Sequence, residues 1–333
     1  MAYRHMFQNT LVNVHGQPCP YPVCTVEEYI SHHPVLTTVP SEGIRLIGET
    51  LGRRFSIISK PGRELISSLT TALHQLHEAG ICLSSFDESN LVVSDKAQEI
   101  LFNPIKSNKI EPPQNVPPGV FVSPGQMVFP VAGRLKFRDV DLQQSTTAGI
   151  RTNYLDAHMF ITKKLLQPEI PVPDDIKHLL KLMKSPESAS MGSLLSRHAS
   201  FVCLGLRQGL VMTYIPYIRH ILPFVDCNAE AMILREIPYL NDWIDRAKKN
   251  KLLELFFNHR KDKGRADAIA FLNFYYEVSI DRMKWCRSSW FKSDGGYTPE
   301  EVELVMAVTY PQLMPLIQEA LWKTNHLEKA HVS

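Results

Sequence analysis

The sequence predicts a mostly α protein in two folded parts, and three observations carry that expectation. Apolar residues recur at helical spacing along most of the chain from Leu65 onward. Strand-like runs are few and short, at 55–58 and 91–93. The length, 333 residues, fits about two domains with ample material for a core.

Residues 1–60 are punctuated by Pro and His and read as a partly irregular N-terminal segment ending in the strand-like run 55–58. Leu65, Leu69, Leu73, Leu76 and His77 then form a helical stripe that stops at Glu78-Ala79-Gly80. The chain continues through Ile81 and Asn90 into the apolar strand Leu91-Val92-Val93. Between 104 and 133 stand Pro104, Pro112, Pro113, Pro117, Pro118, Pro124 and Pro130. Proline lacks the amide donor a helix needs, so this stretch is expected to be a long surface loop. Leu155, Met159, Phe160, Leu165 and Leu166 give a helix over 152–166, and Asp174-Asp175 open the next, through Leu179, Leu180 and Met183. Beyond residue 202, helical patterns follow at 204–222, 229–248, 252–257, 266–278 and 299–321. In the last of these Thr298 is the N-cap, Pro299 takes the first helical position, and Glu300 and Glu301 face the positive end of the dipole. Its apolar stripe runs through Val302, Val305, Met306, Leu313, Leu316, Ile317 and Leu321.

Apolar residues make up 44% of the chain and charged residues 21%, an ordinary balance for a soluble globular protein. A net charge of +2 excludes a strongly polyanion-seeking protein as a whole but leaves room for local basic patches. Cys19, Cys24, Cys82, Cys203, Cys227 and Cys286 are scattered without a C-x-x-C pair, and no apolar run follows a basic start. A reducing compartment is therefore expected, cytoplasmic or nuclear. No uninterrupted run of about 18 apolar residues occurs, so no membrane span is expected. Cys19, Cys24, His32 and His33 match no standard zinc-finger spacing, and His74 and His77 read as packing residues, so no metal site is expected.

From Leu65 to Asn103 the order of parts resembles the catalytic region of a protein kinase. Against the family pattern H-R-D-L-x-x-x-N, Asn90 matches the metal-holding Asn and Phe86 the apolar position. Leu83, Ser84 and Ser85 stand where His, Arg and the catalytic Asp belong. A hydroxyl whose pKa lies far above 7 cannot take the substrate proton as a carboxylate does. At the spacing of the D-F-G triplet stands Asn103, followed by Pro104, and a neutral amide is a weaker magnesium ligand than a carboxylate. Gly43, Gly48 and Gly52 do not make G-x-G-x-x-G. The run Leu195-Ser196-Arg197-His198-Ala199-Ser200-Phe201 is similar to the closing L-x-x-H-P-x-F of the family, with Ala199 in place of the Pro. The resemblance covers 61–202 and implies a protein-kinase-like C-lobe whose N-lobe is incomplete or absent, hence a pseudokinase without a nucleotide cofactor.

Beyond residue 202 the chain resembles the kinase-extension nuclease (KEN) domains of ribonuclease L and of the inositol-requiring kinase/endoribonuclease of the unfolded protein response. Pro299-Glu300-Glu301-Val302 leads at the family spacing to Tyr310-Pro311-Gln312-Leu313-Met314. The family's active-site pattern, close to L-L-x-x-x-R-N-K-x-x-H, can be laid on this chain in two registers. One starts at Leu252-Leu253, keeps Asn258, and has Phe257 for the Arg and Asp262 for the His. The other runs through Ile269-Ala270-Phe271-Leu272-Asn273, with Leu272 for the Arg and Glu277 for the His. His259 and Arg260 lie one to two residues from the expected places and are the candidate nuclease residues. Around them Lys248, Lys249, Lys251, Asn258, Lys261 and Lys263 are candidate RNA contacts, because clustered cations neutralise phosphate.

Together these resemblances imply an all-helical KEN-like domain at 203–333 behind the kinase-like part. The function they imply is that of a non-catalytic pseudokinase/KEN-like protein acting by protein association or RNA binding, related to RNA-processing kinase-endoribonucleases. The partners implied are RNA, or a homo- or heterodimer with a related kinase-endoribonuclease, with no membrane and no cofactor. The alternative is a metal-independent endoribonuclease with a displaced His259/Arg260 site, using imidazole as general acid or base.

Overall fold

The computed structural model describes residues 9–12, 18–39, 55–94, 100–101, 121–123, 126–129, 135–137, 140–260, 265–286 and 298–332. Among them helix predominates. The chain divides into two compact units, one of residues 1–37, 58–172 and 179–197, the other of 38–57, 173–178 and 198–333.

The described strands are short: β1 (Asn9–Val12), β2 (Pro18–Thr25), β3 (Leu36–Val39), β4 (Phe55–Ile58), β5 (Ile81–Leu83), β6 (Leu91–Ser94), β7 (Ile100–Leu101), β8 (Phe121–Ser123), β9 (Gln126–Phe129), β10 (Leu135–Phe137) and β11 (Leu142–Gln144). An antiparallel sheet runs in the order β1-β2-β6-β10, with Cys24 opposite Val93 and Lys136 opposite Val92. The N-terminal segment thus supplies strands to the sheet of the first unit. β5 pairs with β11, setting Cys82 opposite Gln143. The proline-rich stretch departs from the expected loop, since it is not loop throughout. β9 pairs with both β7 and β8, because Phe121-Val122-Ser123 and Gln126–Phe129 are proline-free runs with free amides between the prolines.

Helices of the first unit begin where side chains cap them. Thr25 accepts the Glu28 amide at 3.1 Å and starts α1 (Val26–His32). Ser59 accepts the Gly62 amide at 3.0 Å and donates to the Pro34 carbonyl at 2.7 Å, fixing the start of α2 (Lys60–Glu78). Gly62 permits a close approach, since a Cβ there would lie 2.4 Å from the Val35 carbonyl oxygen. Gly80, at φ 76°, ends the helix in the left-handed conformation. Leu65, Ile66, Leu69, Leu73 and Leu76 are all buried, each contributing about 1.5–3 kcal/mol of transfer free energy. α3 (Thr147–Phe160) starts five residues before the expected helix because the Thr146 hydroxyl accepts the Gly149 amide at 3.0 Å, and it passes into a π-helical turn at Ile161–Leu165. α4 (Asp174–Lys184), of which the part from Leu179 on belongs to this unit, and α5 (Gly192–Ser196) follow.

The second unit contains α6 (Leu204–Pro216), a π-helical turn at Tyr217–Ile221, α7 (Leu222–Val225), α8 (Cys227–Glu236), α9 (Trp243–Lys248), α10 (Lys251–His259), α11 (Ala268–Cys286), α12 (Pro299–Thr309), α13 (Leu313–Lys323) and α14 (Leu327–Val332). Its core is aromatic. The Trp243 ring stacks on Phe271 with centroids 5.4 Å apart and meets Phe274 at 5.3 Å, and Phe271 meets Tyr310 at 4.9 Å. Residues 173–178 belong to this unit, where Asp175 pairs with Arg207 at 2.6 Å.

Two single helices expected from the sequence are each divided. The pattern at 229–248 breaks after α8, where Pro238 excludes the helical conformation from Ile237 and Tyr239 adopts a φ of 68°. The pattern at 299–321 breaks at Tyr310-Pro311. The capping box at its start forms, with Thr298 accepting the Glu301 amide at 3.1 Å and Glu301 accepting the Thr298 amide at 2.8 Å. At its other end Pro311 pushes Tyr310 to φ −130°, which turns the phenol into the core to donate to the Trp243 carbonyl at 2.7 Å. Leu316, placed on the core stripe by periodicity, is only half-buried, whereas Leu313, Ile317 and Leu321 are buried.

Candidate functional site

In the first unit, the loop after β5 carries the residues that align with the kinase catalytic-loop pattern, and Asn153 of α3 anchors it. The Asn153 carboxamide accepts the Leu83 amide at 2.9 Å and donates to the Leu83 carbonyl at 2.9 Å. His77 lies 3.2 Å from the same carboxamide oxygen. Burial lowers the His77 pKa to about 4, so its ring is neutral and donates there from Nε2. Ser84 and Ser85 are exposed, while Phe86 is buried edge-on against Phe137, with ring centroids 5.1 Å apart.

Residues that could serve chemistry in this loop are engaged with one another. The Asn90 carboxamide oxygen accepts the Asp87 amide at 3.0 Å, and Asp87 accepts the Ser89 amide at 2.8 Å and the Ser89 hydroxyl at 2.6 Å, closing a capping box. Those bonds hold the Asp87 carboxyl below its usual range, which makes it a poor proton acceptor. Asn90, the position that matches the family's metal ligand, here fixes a turn. Asn103 lies outside the described residues.

In the second unit, α10 carries the first nuclease register. Leu252, Leu253 and Phe257 are buried, and Phe257 packs edge-on against Trp243 with centroids 5.8 Å apart. Asn258 and His259 are exposed, with His259 Nδ1 2.8 Å from the Leu255 carbonyl. Arg260 is turned inward, its side chain 7% exposed. It pairs with Glu277 at 3.0 Å, donates to the Ala270 carbonyl at 3.1 Å, and lies 5.7 Å over the Phe274 ring. The structure thus brings together Arg260 and Glu277, the residue standing at the His position of the second register. A guanidinium committed in this way can reach a phosphate only by leaving its pair with the half-exposed Glu277 carboxylate. Leu272, at the Arg position of the second register, is core.

The basic stretch divides between packing and surface. Arg246 covers the Tyr239 ring at 4.4 Å and pairs with Asp242 at 2.7 Å. Lys248 lies 5.7 Å over the Phe257 ring, and Lys248, Lys249 and Lys251 are exposed. Lys251 and Asn258 are seven residues apart, about two turns, and so share one side of α10. Lys261 and Lys263 lie outside the described residues.

Sequence reasoning missed the exposed large apolar side chains of α6, α7 and α8. Phe224 is 87% exposed and Leu206 68%, with Met212, Val225 and Met232 each more than half exposed. The signal was available, since 204–225 carries more large apolar residues than one buried face needs, with Arg207, Gln208, Arg219 and His220 among its few strongly polar positions.

Among the described residues, no helix is long and apolar enough to cross a membrane, and no group of three His, Cys, Asp or Glu side chains is placed to hold a metal ion. Compared with models of known protein families and with curated proteins, the chain has no match.

Proposed function

We propose that the protein is a non-catalytic pseudokinase/KEN-like protein that works by association, and that the outward face of α6, α7 and α8 receives a second copy of the same chain. Exposed large apolar side chains carry this proposal. Large side chains present on the order of 150–200 Å² each when fully exposed. At their exposures Leu206, Met212, Ile221, Phe224, Val225 and Met232 together expose roughly 600 Å² of apolar side chain, against the ~800 Å² per partner of a standard interface. The engaged Asp87, Asn90 and Arg260 support the absence of catalysis.

Sedimentation velocity tests the association. Wild type is expected to be dimeric, and Phe224→Asp with Met232→Asp monomeric at unchanged helicity. A wild type that stays monomeric at every concentration overturns the proposal.

A second reading, RNA binding, is favoured by the exposed Lys248, Lys249 and Lys251 beside Asn258. Such binding would be largely sequence-independent and fall steeply with salt. Cleavage of a stem-loop RNA that disappears in His259→Ala would instead promote the displaced-site endoribonuclease.

A further inference from the structure

We infer that Glu319, His178, His198 and Ser200 form a proton-operated latch on the turn Ala199–Phe201, closed while both imidazoles are neutral and released when the pair takes up one further proton. All four residues lie in the second unit and are buried. His178 Nε2 is 2.8 Å from Glu319 Oε2, His178 Nδ1 is 2.9 Å from His198 Nε2, and His198 Nδ1 is 2.8 Å from the Ser200 hydroxyl. The Ser200 amide also donates to His198 Nδ1, at 3.2 Å, so this side chain caps its own turn.

That amide fixes the direction of the whole chain. Accepting it, His198 Nδ1 carries no proton, so the neutral ring bears its proton on Nε2 and donates to His178 Nδ1. His178 in turn bears its proton on Nε2 and donates to the Glu319 carboxylate, whose second oxygen is held by Lys323 at 2.9 Å. With two neutral rings, each nitrogen has one role and a matching partner.

One more proton has a single place to settle. On His178 Nδ1 it would oppose the His198 Nε2 proton, donor against donor. The arrangement is relieved only when His198 carries its proton on Nδ1, directed at the Ser200 hydroxyl. A direct uptake by His198 ends the same way. Either route evicts the Ser200 amide from its acceptor, and a buried amide without a partner is costly.

The same turn is tied to α13, since the Ala199 amide donates to Gln318 Oε1 at 2.8 Å. A proline at 199 could not make that bond. The charges facing the pair are Glu319 and Lys323 on α13 and Arg207 on α6, the last held by Asp175 of α4. Burial, His178 and Arg207 keep the His198 pKa well below its usual value, so the closed state withstands neutral pH.

Hydrogen exchange of the full chain tests the latch. In wild type, protection of 199–201, corrected for the intrinsic rate, is expected to fall by roughly tenfold per pH unit on acidification below about pH 6.5, the slope of one coupled proton. In His198→Asn, which keeps an acceptor for the Ser200 amide but cannot take up a proton, the profile is expected to be flat. Equal slopes in the two proteins overturn the inference. Should the variant not fold, nitrogen NMR of the wild-type rings decides: both are expected as Nε2–H tautomers while the latch is closed, and an Nδ1–H tautomer at either ring overturns it.

Discussion

Replacing Asp175 by Asn withdraws one negative charge from the interior of the second unit and changes little else. One carboxylate oxygen lies 2.6 Å from Arg207 Nη2, and the other accepts the Ile176 amide at 2.9 Å. Their side chains are 10% and 13% exposed, so water cannot take over the guanidinium. The Asp175→Asn carboxamide would keep the volume and the acceptor for the Ile176 amide, leaving Arg207 as a buried cation. Removing one partner of a buried pair costs about 3–5 kcal/mol. The slight exposure places this one near the lower end, about 3 kcal/mol, a large share of the ~5–15 kcal/mol that holds a domain folded. Urea unfolding followed by circular dichroism measures it. The double variant Asp175→Leu with Arg207→Met is expected to recover part of the loss, because an apolar pair replaces the ion pair, while the buried Glu303 loses the nearby guanidinium. A single-variant loss below about 1 kcal/mol, the range of exposed pairs, would refute the reasoning.

Ile317→Ala is expected to cost about 2–5 kcal/mol and Leu316→Ala less than half as much, since only Ile317 is fully buried; equal losses would contradict the placement of α13. Hydrogen bonds from His178 and Lys323 lower the Glu319 pKa from 4.5 to about 2, so the stability it contributes is present above pH 4.5 and lost as pH falls through that value towards about 2. Melting temperature should therefore drop more steeply across that window in wild type than in Glu319→Gln, and parallel profiles would count against the assignment. Mg-ATP is expected to leave the melting temperature unchanged, whereas a magnesium-dependent rise would remove the pseudokinase proposal, because a ligand that binds the native state stabilises it.

Helix starts are legible in the sequence where a cap stands beside a clear first turn, as at Thr298-Pro299 of α12 and Asp174-Asp175 of α4, but not at Thr146, whose cap starts α3 five residues early. Helix interruptions are not. The apolar period of α12 resumes in α13 after Tyr310-Pro311, so periodicity runs straight across the break, and in sequence the Tyr-Pro pair reads as a family motif. In the structure the same pair is a hinge that inserts an aromatic ring into the core. Spacing singles out Asn90 but does not show that its carboxamide serves the Asp87 amide. The Arg260–Glu277 pair depends on how α10 meets α11, and the His178–Glu319 bond joins residues 141 positions apart. Neither leaves a local trace.

The Arg260–Glu277 pair also bears on how such a chain can change. A histidine installed at 277 to rebuild a nuclease-like arrangement would face the guanidinium with a neutral or cationic ring, so stability would fall before any activity was gained. Swapping Arg260 first would leave a half-exposed carboxylate, a milder loss, and only then would the second change become tolerable. The order in which the two positions can be substituted is therefore constrained by which half of the pair is left without its partner.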